Sequence, residues 1–406
     1  MKGLIRAGLL IPKGIYAVMK TLPQKNQVTI LSRQSDSPSL DICMLADKIR
    51  EKHPDYEVVV LCRTLGSGLG GKISYCFHML TQMRALAKSR VAVLDSYCIP
   101  ASVLTHCDNL LVVQMWHSVG TMKKFAYSIL DKPEGSSSEI AEAMCMHRNY
   151  DYILCAGEGY RSHLAEGFNY PLEKVVILPL PRVEALKDPA RCEETRARIF
   201  AEYPQLAKAA SGISASDSAA SGISDSGSAA SGISSGARPK KTVVYAPTFR
   251  KKSDDAFLTA LAELCKNFDY DNYNLIIKAH PLTDLSGFDG GQAIIDNKFS
   301  TFDMLFVADK LISDYSCVIY EAGIRNIPLY FYDYDFDEYM NSRDIYMDYL
   351  AEVPGPVCYD AASLVAALDD DKYDLDKLKA FVSKYVKVDG NNETEDIVDF
   401  IFEHLK

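Results

Sequence analysis

The stretch KLISDYSCVIYEAGIRNIPLYFYD, residues 310–333, predicts the element around which the fold is built. An apolar strand stops at Asp314, a helix begins at Ser316, and a second strand begins at Pro328. A strand that leads straight into a helix directs the helix's N-terminal N–H groups and positive dipole end toward whatever lies above the sheet. The stretch therefore predicts an α/β sheet with a phosphate-binding edge. The alternative is that Asp314 or Ser316 only caps the helix.

Several side chains at strand ends are candidates for ligand contacts. Ser313 and Ser316 can add hydroxyl donors at the helix start, and Glu321, further along the helix, can reach a ribose or an acceptor. Polar or cationic groups also end the strands at 245–250 and 278–281. This repetition favours a binding site over simple capping.

Short apolar strands alternate with helices along most of the chain, a pattern typical of parallel sheets covered on both faces. Two such series are present, and the 406 residues fit two domains. We therefore expect an α/β fold with two Rossmann-like domains facing each other across a cleft, with ligands at the carboxyl ends of the strands. The predicted strands are VTILS (28–32), EVVVLC (57–62), VAVLD (91–95), LLVVQMW (110–116), YILCAG (152–157), VVILPLP (175–181), TVVYAPT (242–248), NLIIKAHP (274–281), KLISD (310–314) and PLYFYD (328–333).

The predicted boundaries follow from changes in this pattern. AASGIS occurs three times within 209–237, a composition with too little apolar surface to order itself, which predicts a flexible insertion without a catalytic role. The last helix is expected to pack back on the first domain. The predicted parts are a basic segment at 1–25, a Rossmann-like domain at 26–190, a connecting helix and the insertion at 191–240, a second Rossmann-like domain at 241–387, and a final helix at 388–406.

The N-terminal segment has the pattern of a basic amphipathic helix. Its first acid is Asp36, and Leu4, Ile11, Ile15 and Val18 share one face at 100° per residue. Lys2, Arg6, Lys13 and Lys20 share the opposite face, as in helices that lie on anionic lipid. Pro12 is expected to kink or split the helix. The alternative is a helix that packs on its own domain.

Composition excludes several classes of protein. A formal net charge of −10 argues against general nucleic-acid binding. The 11 cysteines include no CxxC pair, which favours reduced thiols in a cytoplasmic protein over disulfides or a zinc site. The histidines form no HxH or HExxH pattern, so no metal is expected. The sequence has no apolar run long enough to span a membrane, and its N-terminus lacks a clean apolar h-region and a small-residue cleavage site, so export is not expected.

GSGLGGK, residues 66–72, resembles two nucleotide-binding motifs without completing either. Gly66, Gly68 and Gly71 satisfy GxGxxG, but no helix clearly opens there. Ile73 stands where a P-loop needs Ser or Thr. We therefore expect a flexible loop.

Two histidines follow apolar strands in the two predicted domains. His117 follows LLVVQMW, and Lys123 and Lys124 lie shortly after it, so we expect a neutral imidazole that can act as a general base. His280 ends NLIIKAHP close to Lys278. The alternative for His117 is a buried histidine with satisfied hydrogen bonds. Arg182, Thr248 and Arg250 can add anion contacts, and the alternative for both arginines is a plain surface ion pair.

Eight stretches of the chain, as a set and in their order, resemble the CDP-glycerol glycerophosphotransferase family, which makes teichoic acid and related polyol-phosphate polymers. The chain departs from many members at Ser118, Val119 and Gly120, where they read WHG-T-P, and Glu321 replaces an aspartate common in the polymerases. The matching stretches are QMWHSVGTMKKF (114–125), LPLPRVEAL (178–186), YAPTFR (245–250), IKAHP (277–281), SDYSCVIYEAG (313–323), FDEY (336–339), PGPV (354–357) and GNNETEDIVDFI (390–401).

The resemblance implies a GT-B-like fold in which the second domain binds CDP-glycerol or CDP-ribitol and the first takes the acceptor. It implies that His117 is the catalytic base and that His280 holds or protonates the pyrophosphate. No cofactor is expected. The donor-binding residues that it implies are Ser118, Arg182, Pro247, Thr248, Lys278, Ser313, Asp314, Ser316 and Glu321.

The activity implied by this resemblance is transfer of glycerol phosphate or ribitol phosphate to a hydroxyl of a lipid-linked or polymeric acceptor, with release of CMP. The basic N-terminal segment then fits a cytoplasmic enzyme that is peripheral at the inner face of the membrane and contacts its anionic surface. The alternatives are a GT-B glycosyltransferase that uses a sugar nucleotide and an inactive membrane-associated scaffold. The sequence leaves open which polyol is transferred, which acceptor is used and whether the enzyme is a primase or a polymerase.

Overall fold

The computed structural model describes residues 2–66, 68–210, 240–250, 254–280, 282–370 and 372–406. The chain folds into two compact units. The first contains residues 1–187, 337–352 and 379–406, and the second contains 188–336 and 353–378.

A six-stranded parallel sheet forms the centre of the first unit, in the order β2-β1-β3-β4-β5-β6. Its strands are β1 (Gln27–Ser32), β2 (Glu57–Cys62), β3 (Val91–Leu94), β4 (Leu111–Gln114), β5 (Tyr152–Cys155) and β6 (Val175–Ile177). Its helices through residue 187 are α1 (Lys2–Gly8), α2 (Leu10–Met19), α3 (Leu40–Lys52), α4 (Gly68–Lys88), α5 (Ile99–Val103), α6 (Ser138–Ala143), α7 (Arg161–Phe168) and α8 (Pro181–Lys187), with 3₁₀ turns at Ala126–Ile129, Glu158–Tyr160 and Leu172–Lys174. The chain order reverses between β1 and β3, and ligands of such sheets bind beyond the carboxyl ends at this switch point.

The second unit contains another parallel sheet of six strands, in the order β12-β11-β10-β7-β8-β9. Its strand order reverses between β7 and β10, and its core packs one face of the sheet against α11 and α16. The elements after residue 187 are α9 (Pro189–Glu202), α10 (Pro204–Ala210), β7 (Lys241–Tyr245), α11 (Asp254–Asn267), β8 (Tyr273–Ile277), β9 (Ile294–Ile295), α12 (Thr301–Met304), β10 (Lys310–Ser313), α13 (Val318–Ile324), β11 (Leu329–Tyr332), α14 (Phe336–Ser342), α15 (Tyr349–Glu352), β12 (Val357–Cys358), α16 (Ala361–Asp369), α17 (Leu375–Tyr385) and α18 (Glu393–Glu403).

All ten strands expected from the sequence are present, and the α/β class is confirmed. The two strands without a prediction, β9 and β12, have only two residues each and carry no apolar pattern of their own. Along 310–333 the predicted strand–helix–strand order is confirmed. The helix begins at Val318, two residues later than expected, with Cys317 in the N-cap position and no side-chain cap bond.

The prediction of a flexible loop at 66–72 is wrong, because α4 begins at Gly68 and runs to Lys88. Its buried side chains, among them Tyr75, Met83 and Leu86, anchor the helix, and this packing outweighs the low helix propensity of glycine. Gly71 fits here because a Cβ at this position would lie 2.7 Å from the Gly66 carbonyl carbon. Ser67 lies outside the described residues.

The N-terminal segment is split as expected, but at Leu9 and not at Pro12. Pro12 lies in the first turn of α2, where the missing N–H has no helical partner to lose. The insertion predicted at 209–237 falls outside the described residues except for 209 and 210, which end α10.

The observed units differ from the predicted boundaries, because the chain returns to the first unit twice after residue 336. The backbone of Tyr346 bonds to Met122, and Lys387 N–H donates to the Ala156 carbonyl at the end of β5. Finally, α18 packs on α3 and α8 through apolar contacts and through ion pairs of Lys52 with Glu395 and Asp399. These contacts join distant parts of the chain and leave no local signal in the sequence.

Candidate functional site

His117 lies three residues beyond the end of β4, at the carboxyl edge of the first sheet. Its Nδ1 is 2.9 Å from the backbone carbonyl oxygen of Asp95, the residue that follows β3. A carbonyl only accepts hydrogen bonds, so Nδ1 carries the ring proton and Nε2 has the lone pair of the neutral ring. The Gln34 side-chain amide also faces Nδ1, at 3.2 Å from its nitrogen, and a protonated Nδ1 requires the amide orientation in which the Gln34 oxygen accepts.

The pKa of His117 is lowered, first by burial of the ring and then by the nearby charge of Arg182, while the bond to Asp95 raises it. The ring is therefore neutral at neutral pH, as a general base requires. The expected cause was different, because the ammonium groups of Lys123 and Lys124 lie over the rings of Tyr339 and Tyr346. The burial that lowers the pKa of His117 could not be inferred from the charged residues near it in the sequence.

Arg182 is held by the buried carboxylate of Asp41, a residue in the first turn of α3. Its backbone N–H and its Nε each donate to Asp41 at 2.8 Å. The side chain of Arg182 is 20% exposed and that of Asp41 only 2%. This is a largely buried clamp beside His117 and not the plain surface ion pair that was the alternative.

Ser118 follows His117 directly, but its hydroxyl donates to the Gly120 carbonyl at 2.6 Å. That bond stabilises the turn, so a ligand would meet the Ser118 oxygen as an acceptor.

In the second unit, Asp314 connects the ends of β7 and β10 at the switch point. Its carboxylate accepts the Thr248 backbone N–H at 2.9 and 3.0 Å, and also the Arg250 guanidinium at 2.9 Å. Arg250 also donates to Asp335 at 2.6 Å. Asp314 therefore does not cap the following helix, and a phosphate would have to compete with the Asp314 carboxylate for the Thr248 N–H and the Arg250 guanidinium.

Arg250 is buried between two carboxylates, with only 8% of its side chain exposed. Burial disfavours the charge, but Asp314 and Asp335 outweigh it and raise the pKa of Arg250 above its usual value. The guanidinium also lies over the rings of Tyr315 and Tyr334. We conclude that Arg250 stabilises the loop 246–250, whereas the sequence suggested an anion contact or a surface pair.

The remaining predicted donor residues of this edge have different environments. Ser313 donates its hydroxyl to the Ala246 carbonyl at 2.9 Å, which ties β10 to β7. Ser316 Oγ is 3.4 Å from the Val318 N–H, close to the predicted capping contact. Glu321 is 8% exposed within α13, and Pro247 lies between the Ala246 and Thr248 contacts.

Thr248 is the residue of this loop whose side chain is best suited to a ligand. Its Oγ1 is buried and has no hydrogen-bond partner within the described residues. A buried hydroxyl normally has a partner, because an unmade bond costs free energy. A ligand oxygen would satisfy it.

Lys278 and His280 line a cavity of about 500 Å³ beyond the end of β8. The Lys278 ammonium is 2.9 Å from the Asp296 carboxylate. The Leu282 N–H donates to His280 Nδ1 at 3.2 Å, so the proton of the neutral ring is on Nε2. The two histidines thus favour opposite tautomers, with His117 Nε2 as an acceptor and His280 Nε2 as a donor.

The structure groups the predicted residues by unit: Arg182 and Ser118 accompany His117, whereas the other residues accompany His280 in the second unit. Sequence reasoning missed Asp41, Asp95 and Asp335, the partners that orient Arg182, His117 and Arg250. Asp95 ends the predicted strand VAVLD, so its place at a strand end was an available signal. Across the described residues, no group of three or more His, Cys, Asp or Glu side chains is arranged to hold a metal ion.

Comparison with solved structures defines the class. The chain is similar to the wall teichoic acid polymerase TagF, with a TM-score of 0.71, 18% sequence identity and coverage of 100% of this chain and 97% of that chain. At this identity the likeness concerns the fold. It confirms the predicted GT-B-like class of two Rossmann-like units.

Comparison of the sequence then defines the family. The family model for CDP-Glycerol:Poly(glycerophosphate) glycerophosphotransferase matches residues 15–208 and 224–403, and the chain belongs to this family. It is 28% identical to the teichoic acid ribitol-phosphate primase of Bacillus spizizenii (strain ATCC 23059 / NRRL B-14472 / W23), over 97% of each chain. It is also 26% identical to the teichoic acid glycerol-phosphate primase of Bacillus subtilis (strain 168), over 80% of this chain and 76% of that one.

Proposed function

We propose that this protein transfers a polyol phosphate from a CDP-polyol to a hydroxyl group of an acceptor, with release of CMP, in the synthesis of a teichoic-acid-like polymer. Membership of the glycerophosphotransferase family supports the reaction class. The observation that carries the mechanism is the bond between His117 Nδ1 and the Asp95 carbonyl, because it leaves Nε2 as the basic nitrogen.

In the proposed reaction, the acceptor hydroxyl gives its proton to His117 Nε2 as its oxygen attacks the β-phosphorus of the donor. The new bond joins the acceptor oxygen to the polyol phosphate, and the bond from the β-phosphorus to the bridging oxygen breaks. CMP leaves with the electron pair of that bond. Phosphoryl transfer depends mainly on positioning and on stabilisation of charge.

Donor binding is assigned to the second unit. His280 Nε2–H can donate to a phosphate oxygen, and the Thr248 hydroxyl offers a second, otherwise unpartnered contact within the described residues. Lys278 adds positive charge to the cavity, although Asp296 partly neutralises it. These contacts would stabilise the charge on the departing CMP.

The donor is CDP-glycerol or CDP-ribitol, and the acceptor is a lipid-linked or polymeric hydroxyl. Relatives named for both polyols support both donors. CMP release should be measured from each donor with membrane extract as acceptor. Release from one donor only would identify the polyol. Release of UDP or GDP from sugar nucleotides instead would make the protein a glycosyltransferase.

The base assignment is tested by His117→Ala. We expect turnover to fall by about 10²–10⁴-fold, the usual contribution of a general base. Near-normal CMP release from this variant would exclude His117 as the base.

We also propose that the protein works at the cytoplasmic face of the membrane through an apolar surface formed by α2 and α4, two helices in contact. Leu10, Ile11 and Val18 on α2 are 67%, 71% and 70% exposed. Leu69 and Phe77 on α4 are 76% and 68% exposed. Large apolar surfaces of this kind mark interaction sites, and basic amphipathic helices bind anionic lipid.

The charges of these helices refine the surface. Lys2 and Arg6 form ion pairs with Glu142, so part of the basic face holds α1 against α6. Lys13 and Lys72 are exposed on α2 and α4. Among the described residues, no helix combines the length and the apolar character needed to cross a bilayer.

Phe77→Ser tests this surface. We expect weaker cosedimentation with anionic phosphatidylglycerol vesicles and little change for Leu375→Ser, an exposed leucine of the second unit (43%). Equal binding by both variants would exclude α4 from the membrane surface.

A further inference from the structure

We propose that Trp116 is a positioning residue. Its left-handed backbone is held in place by packing of its ring against Phe125 and Phe168, and this orients the imidazole of His117. The inference rests on the proposed function, because it concerns the residue that accepts the proton of the acceptor hydroxyl.

The backbone of Trp116 has an unusual conformation. Its φ is 67°, in the left-handed region that bulky side chains rarely adopt. Such conformations cost energy and persist only where the surrounding structure enforces them, often at active sites. Here the residue lies directly before His117.

Hydrogen bonds from neighbouring strand ends hold the turn. The Trp116 N–H donates to the side-chain oxygen of Gln114, the last residue of β4, at 2.9 Å. The Gln114 amide in turn lies 3.4 Å from the Ser96 carbonyl, next to the Asp95 carbonyl that receives His117 Nδ1. The ends of β3 and β4 thus fix both the backbone of the turn and the tautomer of the histidine.

Aromatic contacts fix the other side of the turn. The Trp116 ring stacks on Phe125 at 4.8 Å and meets Phe168 edge-on at 5.1 Å. Phe125 and Phe168 also meet edge-on, at 5.1 Å. The ring of His117 lies 4.1 Å from that of Trp116, so a shift of the tryptophan would move the imidazole.

Gly167 provides the space in which the ring of Phe125 packs beneath Trp116. A Cβ at this position would lie 2.4 Å from the ring of Phe125, so the ring of Phe125 or the helix α7 that carries Gly167 must shift. A substitution at Gly167 can therefore displace the ring of Trp116 while both Trp116 and His117 keep their own side chains.

The test is Gly167→Ala, with steady-state release of CMP as the readout. We expect kcat to fall by about 10²-fold with the donor KM changed by less than about twofold, because displacement of a catalytic group by about 1 Å has that effect. The control is Val91→Ala, a buried residue at the amino end of β3, on the opposite edge of the sheet from His117. It should lower the melting temperature but leave kcat within about twofold.

A double-mutant cycle shows whether Gly167 acts through His117. In a His117→Ala background, Gly167→Ala should change the residual rate by less than about twofold, because no imidazole remains to be aimed. An equal loss in both backgrounds would overturn the proposal, as would a kcat for Gly167→Ala no lower than that of the control. Trp116→Phe, which keeps a stacked ring, should retain far more activity than Trp116→Leu.

The failure of the proposed function is distinguishable. If His117→Ala keeps near-normal turnover, the base assignment itself falls. If His117→Ala is inactive and Gly167→Ala behaves as the control does, only the positioning role falls.

Discussion

Single residues of this protein are set by their buried partners as much as by their own chemistry. His117, Arg182 and Arg250 were recognisable as candidates from their places after strands, but Asp95, Asp41, Asp314 and Asp335 determine what each can do. Arg250 is the clearest case, because two carboxylates engage it and make it part of the loop. Residue type and local position therefore predicted the site, and burial changed the roles within it.

Thr248→Val tests the assignment of the buried hydroxyl. Since Oγ1 has no partner within the described residues, its removal should leave the free energy of unfolding unchanged or slightly higher. If the hydroxyl binds the donor, the donor KM should rise about tenfold. Ser313→Ala is the matched control, because it loses a bond to Ala246 and should cost about 1 kcal/mol of stability.

His147 gives the first unit a pH-dependent stability. Burial lowers the pKa of His147 to about 3, whereas a histidine in the unfolded chain has a pKa of about 6.5. Between these values the unfolded state binds the extra proton, so this contribution is complete above pH 6.5 and is lost as the pH falls toward 3.

The variant His147→Asn should remove that dependence. Asparagine tolerates the left-handed backbone, where the φ of His147 is 56°. Urea unfolding at pH 7.5 and 5.5 should show a loss for the wild type larger by about 1 kcal/mol than for the variant. Equal losses of unfolding free energy in the wild type and the variant would mean that His147 is already protonated in the folded state at pH 5.5.

At the scale of elements, tertiary packing decided what local propensity left uncertain. The four glycines in 66–72 predicted a loop, yet the apolar face of α4 extends the helix to Gly68. In the N-terminal segment, Pro12 fits the first turn of α2, so the break falls at Leu9. The strand–helix–strand unit at 310–333 was predictable because its apolar strands and its polar boundary agree.

Gly71→Ala and Gly70→Ala form a matched pair for the start of α4. A Cβ at Gly71 would meet the Gly66 backbone at 2.7 Å, and nothing lies within 4 Å of one at Gly70. We expect Gly71→Ala to cost about 1–3 kcal/mol and Gly70→Ala to stabilise by up to about 1 kcal/mol, measured by urea unfolding. Two stabilising substitutions would show that the helix does not approach Gly66.

At the scale of the whole molecule, the C-terminal end of the chain completes the N-terminal unit. Ile397, Val398 and Ile401 of α18 are all 0% exposed. Glu393 forms an ion pair with Lys187 at the start of the same helix. These contacts make residues near 400 part of the core that begins at residue 27.

Ile401→Ala should therefore destabilise the first unit by about 2–5 kcal/mol, the cost of a cavity in a packed core. Glu403→Ala, on the exposed side of the same helix, should change stability by less than about 0.5 kcal/mol. The comparison is made by urea denaturation followed with a probe in the first unit, the single Trp116. Equal small effects would show that α18 does not contribute to this core.

The two parallel sheets follow from the amino-acid sequence alone, since apolar strands alternating with helices can be buried only between helical layers. It also placed His117 and His280 at strand ends, because the carboxyl edge follows from chain direction alone. The folded structure was needed to establish the tautomers of the two histidines, the clamp of Asp41 on Arg182, the turn at Trp116 and the return of α18 to the first unit. Each of these depends on contacts between residues far apart in the chain, whose burial and hydrogen bonds exist only once the fold is formed.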